Sequence, residues 1–268
     1  MTNQVQKRSN ATKLGDWYDY PQYYDLAFAE DTPVEADFIE AIAKKYAVGP
    51  VRRMLEPGCG GGRLVAELAK RGYHVIGFDD NQRSIDYLAQ KIARGKLSAE
   101  AIIGDMTVYK TTKQVDVAFN TFNTFRHLTT DEAALKHLQQ TAKSVRKGGL
   151  YVLGFHLFPD DASEECIERW RAERGTTKVT YTLRVLDCNR KTALERLRVT
   201  MLVRRPNKEL RLATEFTLRL YNLKRWRELL SRVPEWGLCD TYDFLYDPET
   251  PVKLDNKLSD AIFILRRR

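Results

Sequence analysis

The chain predicts an α/β fold: a Rossmann-like three-layer sandwich with a mostly parallel seven-stranded sheet and an inserted antiparallel β meander. Three observations carry this expectation. Strand-like and helix-like segments alternate from residue 33 to residue 157, the order that lays parallel strands in one sheet. Between the first of those strands and the next helix lies Glu56-Pro57-Gly58-Cys59-Gly60-Gly61-Gly62. Glycine there permits a tight turn and close approach of a ligand to bare backbone, and the helix behind it turns free N–H groups toward that ligand. Finally, over residues 177–221 the apolar spacing changes from helical to alternating, as in half-exposed antiparallel strands.

Each element has its own signal. Thr32-Pro33-Val34-Glu35 has the form of a capping box with proline at the first helical position, and Phe38, Ile39, Ile42 and Tyr46 mark one face of the helix it opens. The first strand ends at Glu56. Leu64, Val65 and Leu68 face the next helix inward, and Gly72 stops it. Residues 73–79 are the second strand, followed by a helix capped by Asn81 and faced by Ile85, Leu88 and Ile92. Strands three and four fall at residues 101–103 and 115–119. A helix from Thr130, with Leu135, Leu138, Ala142 and Val145 inward, reaches Gly148-Gly149, which releases the chain into strand five at residues 150–157. The meander reads as three runs at 177–186, 193–203 and 210–220, separated by Cys188-Asn189-Arg190-Lys191 and Arg205-Pro206-Asn207-Lys208. A helix at 223–232 and strands near 238–245 and 260–265 close the chain.

Composition narrows the function classes. With 268 residues and 43% hydrophobic content the chain can bury one good-sized core, so disorder is expected only over residues 1–13. No apolar run approaches the roughly 20 residues of a membrane helix, and residues 1–10 lack the apolar stretch of a signal peptide. A cytoplasmic protein is the expectation. Cys59, Cys166, Cys188 and Cys239 lie far apart with no histidine at ligand spacing, so neither disulfides nor a metal site is expected. The net charge of +8 invites a nucleic-acid surface, yet 44 basic residues are mixed with 36 acidic ones, and a solvated basic face is the commoner outcome.

The glycine loop does not fit a dinucleotide enzyme. Counting from Gly58, the third glycine of G-x-G-x-x-G falls on Arg63. The Tyr-x-x-x-Lys of a short-chain dehydrogenase occurs only at Tyr87 and Lys91, too early in the chain to serve. The segment instead resembles motif I of the class I S-adenosylmethionine (SAM)-dependent methyltransferases, usually written [D/E]-x-G-x-G-x-G. The resemblance runs in order over residues 33–157. Asp79 ends strand two where the family holds the ribose hydroxyls, although Asp80 beside it replaces the usual apolar residue. Gly104-Asp105-Met106 is similar to the family's G-D-[MLA] segment near the adenine. Asn120-Thr121-Phe122-Asn123 follows strand four, and Lys147-Gly148-Gly149 is similar to the P-G-G turn before strand five. The resemblance implies a SAM site built from Glu56, Gly58, Cys59, Gly60, Asp79, Asp105, Met106 and Asn120, with Glu56 toward the methionine amine. Plain turn-forming or capping roles are the alternatives for these residues.

Residues 119–128, FNTFNTFRHL, resemble the loop F-x-x-[FI]-x-[HY]-L of small-molecule N-methyltransferases. In that branch this histidine and a tyrosine of an N-terminal Y-D segment face the acceptor, which implies His127 and Tyr24. The bland alternatives are a helix-capping His127 and a hydrophobic clasp of Trp17, Tyr18, Tyr20, Tyr23 and Tyr24. Asn123, Arg219 and Tyr221 are further candidate substrate contacts. Methyl transfer is an in-line displacement that asks the enzyme chiefly to position an electron pair, with a base more useful for a hydroxyl than for a neutral amine.

The expected organisation is one methyltransferase domain. It comprises an aromatic lid (1–32), a cofactor core (33–158), a β extension (176–221) and a closing helix and strands (222–268). The expected partners are SAM and a small acceptor, most readily an amine, with a homodimer open. A nucleic-acid methyltransferase is the competing reading, disfavoured because Asn120-Thr121-Phe122-Asn123 lacks the Pro-Pro-aromatic of base-amino enzymes and no Pro-Cys nucleophile follows. A non-catalytic SAM-binding regulator is the third.

Overall fold

The computed structural model describes residues 13–268; expectations placed on residues 1–12 lie outside the described residues. Among the described residues, seven strands form the central sheet: β2 (Arg53–Pro57), β3 (His74–Asp79), β4 (Ala99–Ile103), β5 (Val115–Asn120), β6 (Val145–His156), β11 (Trp236–Tyr242) and β12 (Asp260–Arg267). Their order is β11-β12-β6-β5-β2-β3-β4. The pairs β2/β3, β2/β5, β3/β4 and β5/β6 are parallel, and β12 runs antiparallel to both its neighbours.

The two-residue period of the strands divides the core into two layers. Met54, Val75 and Val117 face the helices α2 (Asp31–Tyr46), α3 (Arg63–Lys70) and α4 (Gln82–Gly95). Their neighbours Leu55, Ile76 and Ala118 face α5 (Asp131–Ser144) and α6 (Leu223–Ser231). Both α4 and α5 start where the sequence says, the Asn81 side chain accepting from the Ser84 N–H and the Thr130 side chain from the Ala133 N–H.

Among the described residues, a second sheet of five strands packs over the carboxyl ends of these strands. It comprises β1 (Lys13–Leu14), β7 (Ile167–Arg174), β8 (Thr177–Asn189), β9 (Leu194–Arg205) and β10 (Lys208–Arg219). Its inner face, Val179, Tyr181, Val199, Met201 and Val203, packs on Trp17, Tyr23 and Leu26. The aromatic stretch containing those three residues folds as a 3-10 turn (Trp17–Asp19) and a short helix, α1 (Pro21–Ala27), with Pro21 in its first turn.

Three local expectations are corrected. The capping box does not form: α2 begins at Asp31 and its N-cap has no side-chain hydrogen bond. Thr32 instead donates to the Phe28 carbonyl at 2.7 Å, while Glu35 is buried against Arg63 at 2.6 Å. A buried cation is a stronger partner for that carboxylate than an exposed helix end. Strand five begins at Val145 rather than 150, and Gly148-Gly149 lies inside it, where the pairing with β5 shifts register. The meander also has a further long strand, β7, at its edge. Its residues are largely exposed and charged, so no apolar alternation marks it in the sequence.

Candidate active site

The parallel strands end beneath a cavity of about 1100 Å³ whose roof is the second sheet. That volume is at the upper end of small-molecule sites, which run to about 1,000 Å³. Glu56, Gly58, Cys59, Gly60, Asp79, Asp105, Met106, Asn120, Asn123, Tyr24 and His127 all line it.

The floor begins at the glycine turn. Gly62, at φ 66°, is the left-handed N-cap of α3, and Gly58 has φ 60°. A β-carbon on Gly58 would come within 2.6 Å of the Thr124 side chain, so bare backbone is required there on two counts. Glu56, one residue before the turn, is buried, and its Oε2 has no hydrogen-bond partner. Burial pushes its carboxyl pKa up to about 8, against the opposing pull of Arg63. A buried carboxylate oxygen without a donor is costly, and it faces a cavity in which a ligand ammonium would satisfy it.

Asp79 is fixed by two backbone donors, Gly60 N–H to Oδ2 at 2.8 Å and Asn81 N–H to Oδ1 at 2.9 Å. It thereby ties the glycine turn to the end of β3. Burial raises its pKa, and those two N–H groups oppose the rise. Asp105 is exposed at the rim, its Oδ1 accepting from Thr107 N–H at 2.7 Å and Thr107 Oγ1 at 2.8 Å. Cys59 contributes main chain to the wall, since its N–H donates to Phe78 O and its sulfur packs beside Gly77. Asn120 is turned inward: its nitrogen donates to Pro57 O, and its Oδ1 lies 2.6 Å from the Tyr151 hydroxyl.

At the roof end, His127 closes the loop after β5. Burial, helped by the Arg126 charge, lowers its pKa to about 4, so its ring is neutral at pH 7. The Tyr18 hydroxyl lies 3.2 Å from His127 Nε2, and Phe216 packs on the ring at 5.4 Å. Tyr24 lies against Trp17, Tyr18 and Phe28, with its hydroxyl pKa pushed up to about 12 by burial. Asn123, in the left-handed region at φ 53°, accepts at Oδ1 from His156 N–H at 3.0 Å.

Arg219 and Tyr221 do not face the cavity. Of β10, Thr214, Glu215, Phe216 and Leu218 line the cavity and Arg219 does not. Its guanidinium donates to Thr129 O at 2.6 Å and to Asp131 at 2.5 Å, holding the segment after His127. Tyr221 is fully buried and stacked on Phe125 with ring centres 5.5 Å apart.

Several wall residues escaped the sequence. Tyr18 lies inside a run of aromatics where spacing does not single it out. Phe28, Arg63, Trp170 and Phe216 also line the cavity, the last two from the roof. Arg126 reads as one more surface cation, yet it is buried, donating to Arg219 O at 2.8 Å and pairing with Glu195 of β9. This pair locks the His127 loop to the roof. Among the described residues there is no cluster of groups able to hold a metal ion, and no helix long and apolar enough to cross a membrane.

Comparison with known proteins agrees with this architecture. The family described as "Methyltransferase domain" matches residues 54–149. A curated relative, a ubiquinone biosynthesis O-methyltransferase from Hahella chejuensis, is 38% identical over 63 residues. That match covers 24% of this chain and about a quarter of the relative's length. Similar solved structures include a SAM-dependent methyltransferase from Clostridium acetobutylicum (TM-score 0.75, 14% identity, 94% of this chain and 98% of that one). The amino pentose methyltransferase CalS10 from Micromonospora echinaspora superposes with TM-score 0.69, at 15% identity over 96% of this chain and 99% of that one. The sugar N-methyltransferase KedS8 from a Streptoalloteichus species gives TM-score 0.71 at 14% identity over both whole chains. At such identities the likeness establishes the fold. Residues 54–149 are similar to a methyltransferase domain, set in a fold shared with solved SAM-dependent methyltransferases.

Proposed function

We propose that this protein transfers a methyl group from SAM to a small-molecule acceptor, at an amine nitrogen. The observation that carries the reading is the pairing of an unsatisfied buried carboxylate, Glu56, on the cavity floor with a neutral imidazole, His127, at its roof. The residues fit the cofactor: Glu56 would receive its methionine ammonium, Asp79 its ribose hydroxyls and the Asp105–Met106 segment its adenine, with Gly58 and Gly60 leaving room along the turn. When bound, SAM supplies a methyl group on a positively charged sulfur.

The chain's own residues do the rest. Tyr24, Phe28, Trp170 and Phe216 give the acceptor end an apolar, aromatic lining that excludes water. His127, neutral and hydrogen-bonded to Tyr18, positions an acceptor amine that enters as its free base, since a ring with a pKa of about 4 is too weak a base to deprotonate an alkylammonium. Tyr24, whose hydroxyl stays protonated at any ordinary pH, orients the acceptor as a donor. In this reading the chain is one domain, with 33–158 holding cofactor, the described residues of 1–32 and 176–221 covering the acceptor, and 222–268 closing the sheet. The sugar N-methyltransferase KedS8, which shares this fold, supports nitrogen. The short match to an O-methyltransferase supports oxygen as the second reading.

Isothermal titration with SAM and with S-adenosylhomocysteine (SAH), followed by an amine-library assay with labelled SAM, tests the proposal. Binding and N-methylated product are expected, and His127→Ala should lower kcat by about a hundredfold or more with the SAM affinity unchanged. Product methylated only at oxygen would transfer the mechanism to a hydroxyl. Absence of SAM binding would end it.

A further inference from the structure

A buried side-chain chain joins the two ends of the cavity floor, and the reaction described above does not use it. His137 Nδ1 is 3.1 Å from Met106 O, His137 Nε2 is 2.7 Å from the Tyr151 hydroxyl, and that hydroxyl is 2.6 Å from Asn120 Oδ1. Asn120 Nδ2 donates to Pro57 O, just ahead of the glycine turn. Asn120, His137 and Tyr151 are all 2% exposed or less. Residue by residue, the chain runs from the end of β2 through β5, β6 and α5 to the loop after β4.

Proton counting makes it unusual. A carbonyl only accepts, so His137 carries its proton on Nδ1 and presents Nε2 as an acceptor. Burial keeps the ring neutral, its pKa lowered to about 4 despite Asp105 nearby. Because the Asn120 nitrogen faces Pro57 O, the atom facing Tyr151 is the Asn120 oxygen, a second acceptor. Tyr151 owns one proton and stands between two acceptors at equal reach. One of them goes without, unless another donor arrives. Asn120 is the member that lines the cavity, and so the one a ligand can reach.

We infer that Tyr151 is a proton switch for the cofactor site: it donates to Asn120 in the empty cavity and turns to His137 when a bound ligand becomes the donor to Asn120. His137 and Tyr151 are then positioning residues, acting on the ligand through Asn120. His137 holds the acceptor that offsets the contact Tyr151 gives up, and at the same time tethers Met106 on the opposite wall. This inference rests on the cavity being the cofactor site.

The test uses the full chain and SAH. Without His137 the ligand must displace Tyr151 from Asn120 with nothing regained, so His137→Phe should weaken SAH binding about tenfold, the worth of one net hydrogen bond. Adding Tyr151→Phe removes the competitor, and the double variant should recover most of that loss. Two residues with merely structural roles would instead give a double variant worse than either single, and that result overturns the inference. A measurement on the unmodified protein stands beside it, in case the variants fold poorly. Side-chain nitrogen NMR of the four histidines should show His137 protonated on Nδ1 with and without SAH, its Nε2 moving toward a hydrogen-bonded signal when SAH is added. A proton found on Nε2, or an unmoved signal with SAH bound, overturns it. Failure of the wild type to bind SAH at all would overturn the cofactor reading first; SAH binding with additive variants overturns the switch alone.

Discussion

The glycine turn at the cofactor end of the cavity is shaped by a contact close in sequence, and the acceptor end is closed by contacts that span much more of the chain. Gly60 and Asp79, whose hydrogen bond shapes the cofactor end, are 19 positions apart. At the acceptor end Arg126 reaches Glu195 over 69 positions, and Trp17 N–H reaches the Thr214 hydroxyl over 197. A site assembled in this way can keep its floor while its roof is rebuilt, because few floor contacts depend on roof side chains. The exception is the Arg126–Glu195–Arg219 clamp, which makes the His127 loop common to both.

Breaking the clamp should have the largest effect. Glu195→Ala leaves the Arg126 guanidinium buried without its partner, which costs about 3–5 kcal/mol; urea unfolding should show the loss, and a change below 1 kcal/mol would mean that roof and floor are not joined there. Next comes the floor's pH dependence. The folded-state pKa of Glu56, near 8, is raised above the ordinary 4.5. The protonated form is therefore favoured by folding, and that contribution is full below about pH 4.5 and lost as pH rises toward 8. Thermal melts of the ligand-free protein should decline across this window by a few kcal/mol at most, and Glu56→Gln should flatten the decline while weakening SAM binding. Asp79→Ala, which strips two backbone donors of their acceptor, should lower SAM affinity by about thirty- to a hundredfold, or ~2–2.7 kcal/mol. Smallest is Trp170→Ala on the roof. We expect the acceptor KM to rise about fivefold, ~1 kcal/mol, with the SAM dissociation constant within twofold; an equal loss of SAM affinity would erase the division between the two regions.

The same division decides what could be read from the sequence. The glycine turn, Asn81 and Thr130 as caps, and the first, second and fourth strands are local patterns, and they lie within a residue of where the spacing puts them. Glu35 has the spacing of a helix cap and is taken instead by a cation 28 positions later, because burial outweighs local preference. β7 escaped because an exposed edge strand needs no apolar face. Arg219 and Tyr221 lie at the end of the meander in sequence, but the one is engaged by Thr129 and Asp131 and the other is buried against Phe125. Tyr18, Trp170 and Phe216 meet His127 or its cavity only through the fold, so no window of sequence contains the signal.

The pairing of Leu14 with Ala213, and of Trp17 with Thr214, has a kinetic meaning as well. Closing a loop of nearly 200 residues is slow and yields its contacts only at the end. On the ribosome β10, which receives the lid, is made nearly 200 residues after the lid and after the parallel strands β2 to β6. The parallel core can therefore fold around an open cavity long before the lid has a strand to lie on. Assembly of the acceptor chamber is set by the completion of β10, and refolding experiments that follow Trp17 fluorescence should find it slower than the recovery of SAM binding.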